Sequence, residues 1–208
     1  FLDEALEFRR NVLEALREPL EVGKITVARA STTITYPASF TLALACNPCP
    51  CGYLGDTKKT CTCSYRQIAR YRAKLSGPLL DRIDLQVEIP RLDFSEIASE
   101  KKEESSQEVR ERVKRAREIQ AERFRGEKIR LNGQMSARYL RRFSSLGSEA
   151  KKLLEASMES LALSARAYHR ILKVARTIAD LEQSETIRVE HVAEAIHYRS
   201  LDRKYEEF

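Results

Sequence analysis

Leu75-Ser76-Gly77-Pro78-Leu79-Leu80-Asp81-Arg82-Ile83-Asp84 sets one arginine between two aspartates, just ahead of an alternating apolar run that stops at Pro90. An arginine so placed has two uses. It can bridge to Asp81 or Asp84 and hold a turn, or it can offer phosphate oxygens a forked guanidinium that is always charged. The residues on either side decide between them.

Upstream, short apolar runs alternate with turn residues. Phe1-Leu2-Asp3-Glu4 reads as the end of a buried strand closed by two carboxylates, and a natural chain rarely begins there, so the sequence is expected to be part of something longer. Phe8, Val12, Leu13, Leu16 and Leu20 recur at helical spacing, with Pro19 marking the helix end. Lys24-Ile25-Thr26-Val27 and Thr33-Ile34-Thr35-Tyr36 are β-rich runs around Ala28-Arg29-Ala30-Ser31-Thr32, which predicts a hairpin. Residues 40–46 form a near-continuous apolar run, as in a strand buried on both faces, and Asn47 closes it. Leu85, Val87 and Ile89 alternate with polar residues and predict a half-buried strand.

Ligands of open α/β sheets sit beyond the carboxyl ends of the strands, which draws Asp3-Glu4 and Asn47 together. An aspartate there can hold a nucleotide-bound Mg²⁺, usually through water. The adjacent glutamate can orient or deprotonate a water, and an asparagine can set that water against a γ-phosphate. By itself, Asp-Glu before a helix is also an ordinary dipole-favouring first turn.

Past Pro90 helix formers dominate. Val109, Val113, Ala116, Gln120 and Phe124 stripe a charged helix that breaks near Gly126, and Ser136 caps a short helix through Phe143. A helix over Ser148–Ser160 follows. Tyr168, Ile171, Leu172, Ala175, Ile178 and Ala179 mark one face of the next, and Val189, Val192, Ala193 and Ile196 mark the last. The expectation is a bundle of about five helices. Between Arg110 and Arg125 the basic residues interleave with Glu108, Glu111, Glu118 and Glu122, the pattern of a solvated ion-pair face. His169, His191 and His197 fit no ligand pattern and read as ordinary helix residues.

The net charge of +6, from 37 basic and 31 acidic residues, tolerates an anionic partner without demanding one. No run approaches the roughly 20 apolar residues needed to span a bilayer, and no signal peptide opens the sequence; a cytoplasmic protein is expected. The five cysteines then argue for thiols or a metal rather than disulfides. Cys49-Pro-Cys51 and Cys61-Thr-Cys63 supply four thiolates, enough for a tetrahedral structural Zn²⁺, though Cys-x-Cys is tighter than the usual spacing. The alternatives are four reduced thiols in a loop or a disulfide. Gly52, Gly55 and Lys58-Lys59 between the pairs read as a flexible tip. Cys46, ending the apolar run, reads as a core residue.

Taken together, Phe1-Leu2-Asp3-Glu4 resembles a Walker B motif and Asn47-Pro48-Cys49-Pro50-Cys51-Gly52 a sensor 1 segment. The Leu-Ser-Gly-Pro-Leu-Leu-Asp-Arg-Ile-Asp stretch resembles an arginine-finger segment, and Ser164-Ala165-Arg166 the sensor 2 of a lid. In this combination the sequence is similar, through Tyr198-Arg199-Ser200-Leu201-Asp202-Arg203, to the ComM/YifB family of magnesium-chelatase-like AAA+ ATPases, relatives of the MCM helicases. No Gly-x-x-x-x-Gly-Lys-Ser/Thr phosphate-binding loop occurs in it.

The resemblance implies an α/β plus all-α chain: the C-terminal part of an AAA+ P-loop NTPase core over residues 1–90, with a presensor 1 β-hairpin, then a helical lid over residues 91–208. Asp3 would serve Mg²⁺, Glu4 the attacking water, and Asn47 would be sensor 1. Arg82 would reach ATP bound to a neighbouring subunit, and Arg166 would read phosphates from the lid. The hairpin would enter a central pore and touch DNA, with Arg29 at or near its tip and Lys24 on its rising strand. The implied activity is ATP-driven translocation on DNA, or branch migration during natural transformation, by a ring expected to be a hexamer. Without a phosphate loop, residues 1–208 are expected to be inactive alone. The alternatives are a magnesium-chelatase motor that drives metal insertion into a porphyrin, and a non-enzymatic, zinc-stabilised nucleic-acid-binding module.

Overall fold

The computed structural model describes residues 1–29, 31–92, 98 and 104–199. They cluster into two units: Phe1–Ile83 with Ile89–Arg91, and Asp84–Glu88 with the described residues from Leu92 to Arg199. Ala30 of the hairpin turn and residues 200–203 of the closing motif lie outside the described residues.

In the first unit, Leu2 pairs in parallel with Leu44. Leu2 N donates to Ala43 O and Ala45 N to Leu2 O, each at 2.9 Å. The chain then turns through a 3-10 segment, Ala5–Glu7, into α1 (Arg10–Ala15) and α2 (Arg17–Val22). Pro19 therefore does not end a helix. It lies in the first turn of α2, where its missing N–H would have no intrahelical acceptor anyway. The helix stops instead at Gly23, whose φ of +68° is the left-handed conformation that glycine adopts without a Cβ clash.

The hairpin forms from β1 (Lys24–Arg29) and β2 (Thr32–Pro37), registered from Lys24↔Pro37 to Arg29↔Thr32. Both strands are exposed throughout. After the cysteine-bearing loop come α3 (Tyr65–Arg72) and a single turn, α4 (Gly77–Leu80). Leu6, Leu13, Tyr71, Leu75, Leu79 and Leu80 form the core beneath them, joined by Leu2, Leu16, Leu20 and Leu44.

Two strand expectations need correction. Residues 40–46 are not buried on both faces: Phe40 and Cys46 are exposed, so Cys46 is no core residue. The run is bonded to the Leu2–Ala5 segment, and Leu44 packs into the core. Residues 85–89 form no strand, and their pattern is inverted: Leu85, Val87 and Ile89 face outward while Gln86 is buried. The backbone N–H of Gln86 donates to Tyr198 O, 2.9 Å away, rather than to a sheet neighbour.

The second unit is a bundle of five α-helices among the described residues: α5 (Ser106–Arg123), α6 (Ala137–Phe143), α7 (Ser148–Ser160), α8 (Ala165–Leu181) and α9 (Val189–His197). Ser105 and Glu108 close a capping box on α5. Ile171, Leu172, Ala175, Ile178 and Ala179 bury the expected face of α8 against Phe124, Met135, Leu140, Leu154 and Val192, but Tyr168 at its start is exposed. On α9 the inward face is Val192 and Ala195, with Ala193 outside. The α5 stripe is buried only from Ala116 on, leaving Val109 and Val113 exposed. No described helix is long and apolar enough to cross a membrane.

Candidate functional site

The Leu2–Leu44 bridge sets two chain ends side by side. Asp3 and Glu4 leave one strand, Asn47 follows the other, and Ala5 N donates to Ala45 O at 2.9 Å across the gap. All three polar side chains are exposed. Glu4 stands at φ 49° and ψ 43°, the left-handed region that a residue with a Cβ rarely occupies. Its N–H donates to Asp3 Oδ1 at 2.9 Å. A solvent-facing aspartate, glutamate and asparagine beyond two parallel strand ends suit a hydrated Mg²⁺ and an activated water.

The Arg82 guanidinium reaches partners beyond the two aspartates of the simple turn reading. Its Nη2 lies 2.9 Å from Glu21 Oε2 on α2, and its Nη1 donates to Pro78 O at 2.5 Å. Asp84 instead pairs with Arg170 of α8. Ser76, the N-cap of α4, accepts from Leu79 N and fixes the turn that carries Arg82.

On α8, Arg166 lies exposed in the first turn, after a Ser164 side chain that accepts from Ala167 N. Two further arginines follow on this helix. Arg170 is taken by Asp84, and Arg176 is buried against Asp180, Ser184 O and Glu185 O. Arg166 thus belongs to the second unit, and Asp3, Glu4, Asn47 and Arg82 to the first.

The four cysteines converge. Cys49, Cys51 and Cys61 Sγ atoms are 3.4–3.6 Å apart, and with Cys63 all four lie within 4.8 Å of one another. A disulfide needs about 2.05 Å. Four thiolates about 2.3 Å from a central Zn²⁺ would be roughly 3.8 Å apart, so the donor set fits that ion. The Tyr53 and Thr62 backbone N–H groups donate to Cys51 and lower its thiol to about 5. The Cys63 N–H would lower Cys61 likewise, but burial and hydrogen bonds with the Cys51, Cys49 and Cys63 sulfurs together outweigh it and push Cys61 up to about 12. The tip read as flexible is tied: Asp56 Oδ1 accepts from Lys58 N at 2.7 Å and Lys59 N at 2.8 Å. Arg72 Nε secures its base on Pro48 O at 3.1 Å.

Lys24 and Arg29 open and close β1, about 17 Å apart at strand rise. Their positions differ by an odd number, so they face opposite sides of the hairpin. Arg29 shares its side with Ile25 and Val27.

Sequence reasoning missed Glu21, Asp56 and Arg72. Asp56, two and three residues before the N–H groups that it binds, carried a local signal. Glu21 carried none.

Two family models match the chain: "Magnesium chelatase, subunit ChlI" over residues 1–97 and "Magnesium chelatase, subunit ChlI C-terminal" over residues 103–199. The chain is 45% identical over 98% of its length to competence protein ComM of Haemophilus influenzae. It is 46% identical to YifB of Escherichia coli and 44% identical to YifB of Salmonella typhimurium, again over 98% of its length. It spans 39% of the length of each of these relatives.

Proposed function

The chain belongs to the magnesium-chelatase-like AAA+ family of ComM and YifB, and from that we propose that it forms part of a longer ATPase that translocates on DNA. The observation that carries this reading is the parallel bridge that seats Asp3, Glu4 and Asn47 at adjacent strand ends. ATP would be held mainly by residues of a phosphate-binding loop that this sequence does not contain. Here Asp3 serves the nucleotide's Mg²⁺, Glu4 takes the proton of the attacking water, and Asn47 orients that water. Arg82 serves a neighbouring subunit in a ring, and Arg166 contacts phosphate from the lid. Cys49, Cys51, Cys61 and Cys63 hold one structural Zn²⁺. The exposed hairpin contacts the DNA backbone through Arg29 and Lys24, whose charges read no sequence.

The test is ATP turnover by the longer protein with single-stranded, double-stranded and branched DNA. DNA should stimulate it, and Arg29→Ala should weaken the stimulation while basal turnover survives. The salt dependence of binding should also fall, by about one phosphate contact per subunit. The matching family models carry a chelatase subunit's description, and turnover indifferent to every DNA would favour a chelatase motor instead.

A further inference from the structure

The guanidinium of Arg82 is occupied inside its own chain. Nη2 meets Glu21 at 2.9 Å, Nη1 meets Pro78 O at 2.5 Å, Nε is buried, and only 9% of the side chain is exposed. A guanidinium held this way can offer its fork to a phosphate only after one of these contacts opens. Glu21 sits in the last turn of α2, two residues before the left-handed Gly23 and three before the hairpin. Gly23 O also accepts from Ala38 N at 2.8 Å, so both arms of the hairpin close on the residue that ends α2. A pull on the hairpin therefore reaches the Glu21 carboxylate through a very short, bonded path.

We infer that Glu21 is a positioning residue: its carboxylate keeps Arg82 withdrawn, and nucleic acid drawing on the hairpin moves the end of α2 and frees the guanidinium. This rests on the proposed role of Arg82 as a finger acting on a neighbouring subunit, and it adds the link between that finger and the hairpin.

Glu21→Gln in the longer ATPase keeps the side chain's size and removes its charge. Basal kcat should rise about fivefold, the shift that a partly exposed ion pair can impose on a two-state equilibrium. The KM for ATP should stay unchanged, and stimulation by single-stranded DNA should shrink by the same factor. Glu21→Asp, which keeps the charge, should preserve the stimulation. On an Arg82→Ala background Glu21→Gln should have no further effect, whereas a loss of helix stability would act in both backgrounds. A second variant spares the pair: two glycines inserted between Gly23 and Lys24 should leave basal kcat low and abolish stimulation while DNA is still bound. The inference is overturned if Glu21→Gln acts equally in both backgrounds, if basal kcat does not rise, or if the glycine insertion keeps full stimulation. Each of these leaves the finger standing provided that Arg82→Ala collapses kcat. Normal kcat in Arg82→Ala would remove the finger itself, and the inference with it.

Discussion

Asp180, 0% exposed, accepts from Arg123, Arg176 and Asn132 at once, so one carboxylate balances two arginines inside the second unit. Asn132 extends the network, since its N–H donates to Gln120 and its amide to Thr177. Removing one partner of such a set leaves buried charge uncompensated, which costs about 3–5 kcal/mol. Asp180→Ala should therefore destabilise the bundle by that amount in thermal or urea unfolding, and a loss under about 1 kcal/mol would mean that the arginines find water instead. His191, read from sequence as an ordinary helix residue, is likewise built in. It is fully buried, its Nδ1 accepts from Arg188 N at 3.0 Å, and its Nε2 lies 3.0 Å from Glu182. What sequence conveys at this scale depends on separation along the chain. Asp3-Glu4 and Cys49-Pro-Cys51 announce themselves because their members are neighbours. The pairs Arg82–Glu21 and Arg123–Asp180 join residues that nothing in the local pattern connects. The left-handed Glu4 was equally silent, because its conformation is fixed by Ala5 N reaching across to Ala45 O.

Among the elements, the cysteine loop makes the clearest physical prediction. Tyr53 N and Thr62 N point at Cys51 sulfur, and Asp56 and Arg72 tie the tip and the base of the loop, so its shape suits a tetrahedral ion. Elemental analysis of protein purified without added metal should find one Zn²⁺ per chain. Stripping it, or Cys61→Ser, should lower the melting temperature, by roughly 4–8 °C for each kcal/mol lost in a unit of this size. A stoichiometry near zero with four titratable thiols would leave the loop metal-free. The hairpin and the five-helix bundle were legible because each rests on a local period, two or 3.6, over a long enough run. The strands were not. Residues 40–46 and 85–89 carry strand-like apolarity, but that pattern says only that a partner would suit them. Leu44 meets Leu2, whereas Leu85, Val87 and Ile89 meet no described strand and lie exposed. Pro19 misled for a related reason: its effect depends on helix position, and the first turn of α2 tolerates it.

For the whole molecule, the decisive question is whether Arg82 works within its own chain or on the next one. The structure gives it an internal partner, Glu21, so a purely structural role predicts that Arg82→Ala loosens α2 and α4 within its own chain. A finger predicts something different. It stabilises charge that spreads over the transferring phosphoryl group, and such arginines contribute on the order of 10³–10⁵ in rate. In the longer ATPase proposed above, Arg82→Ala should then cut kcat by a factor of that order while ATP still binds. The two roles separate further on mixing. An Arg82→Ala subunit keeps its Asp3-Glu4 pair, and a Glu4→Gln subunit keeps its arginine but cannot activate water. In a mixed ring, some interfaces join the intact pair of one subunit to the intact arginine of the next, and those interfaces should turn over ATP. Activity of the mixture should therefore exceed the sum of the two pure variants. A salt bridge confined to one subunit gives no such gain, because each defect stays in its own chain. If mixed rings form, as native mass spectrometry can establish, and activity remains at that sum, Arg82 does not act across the interface.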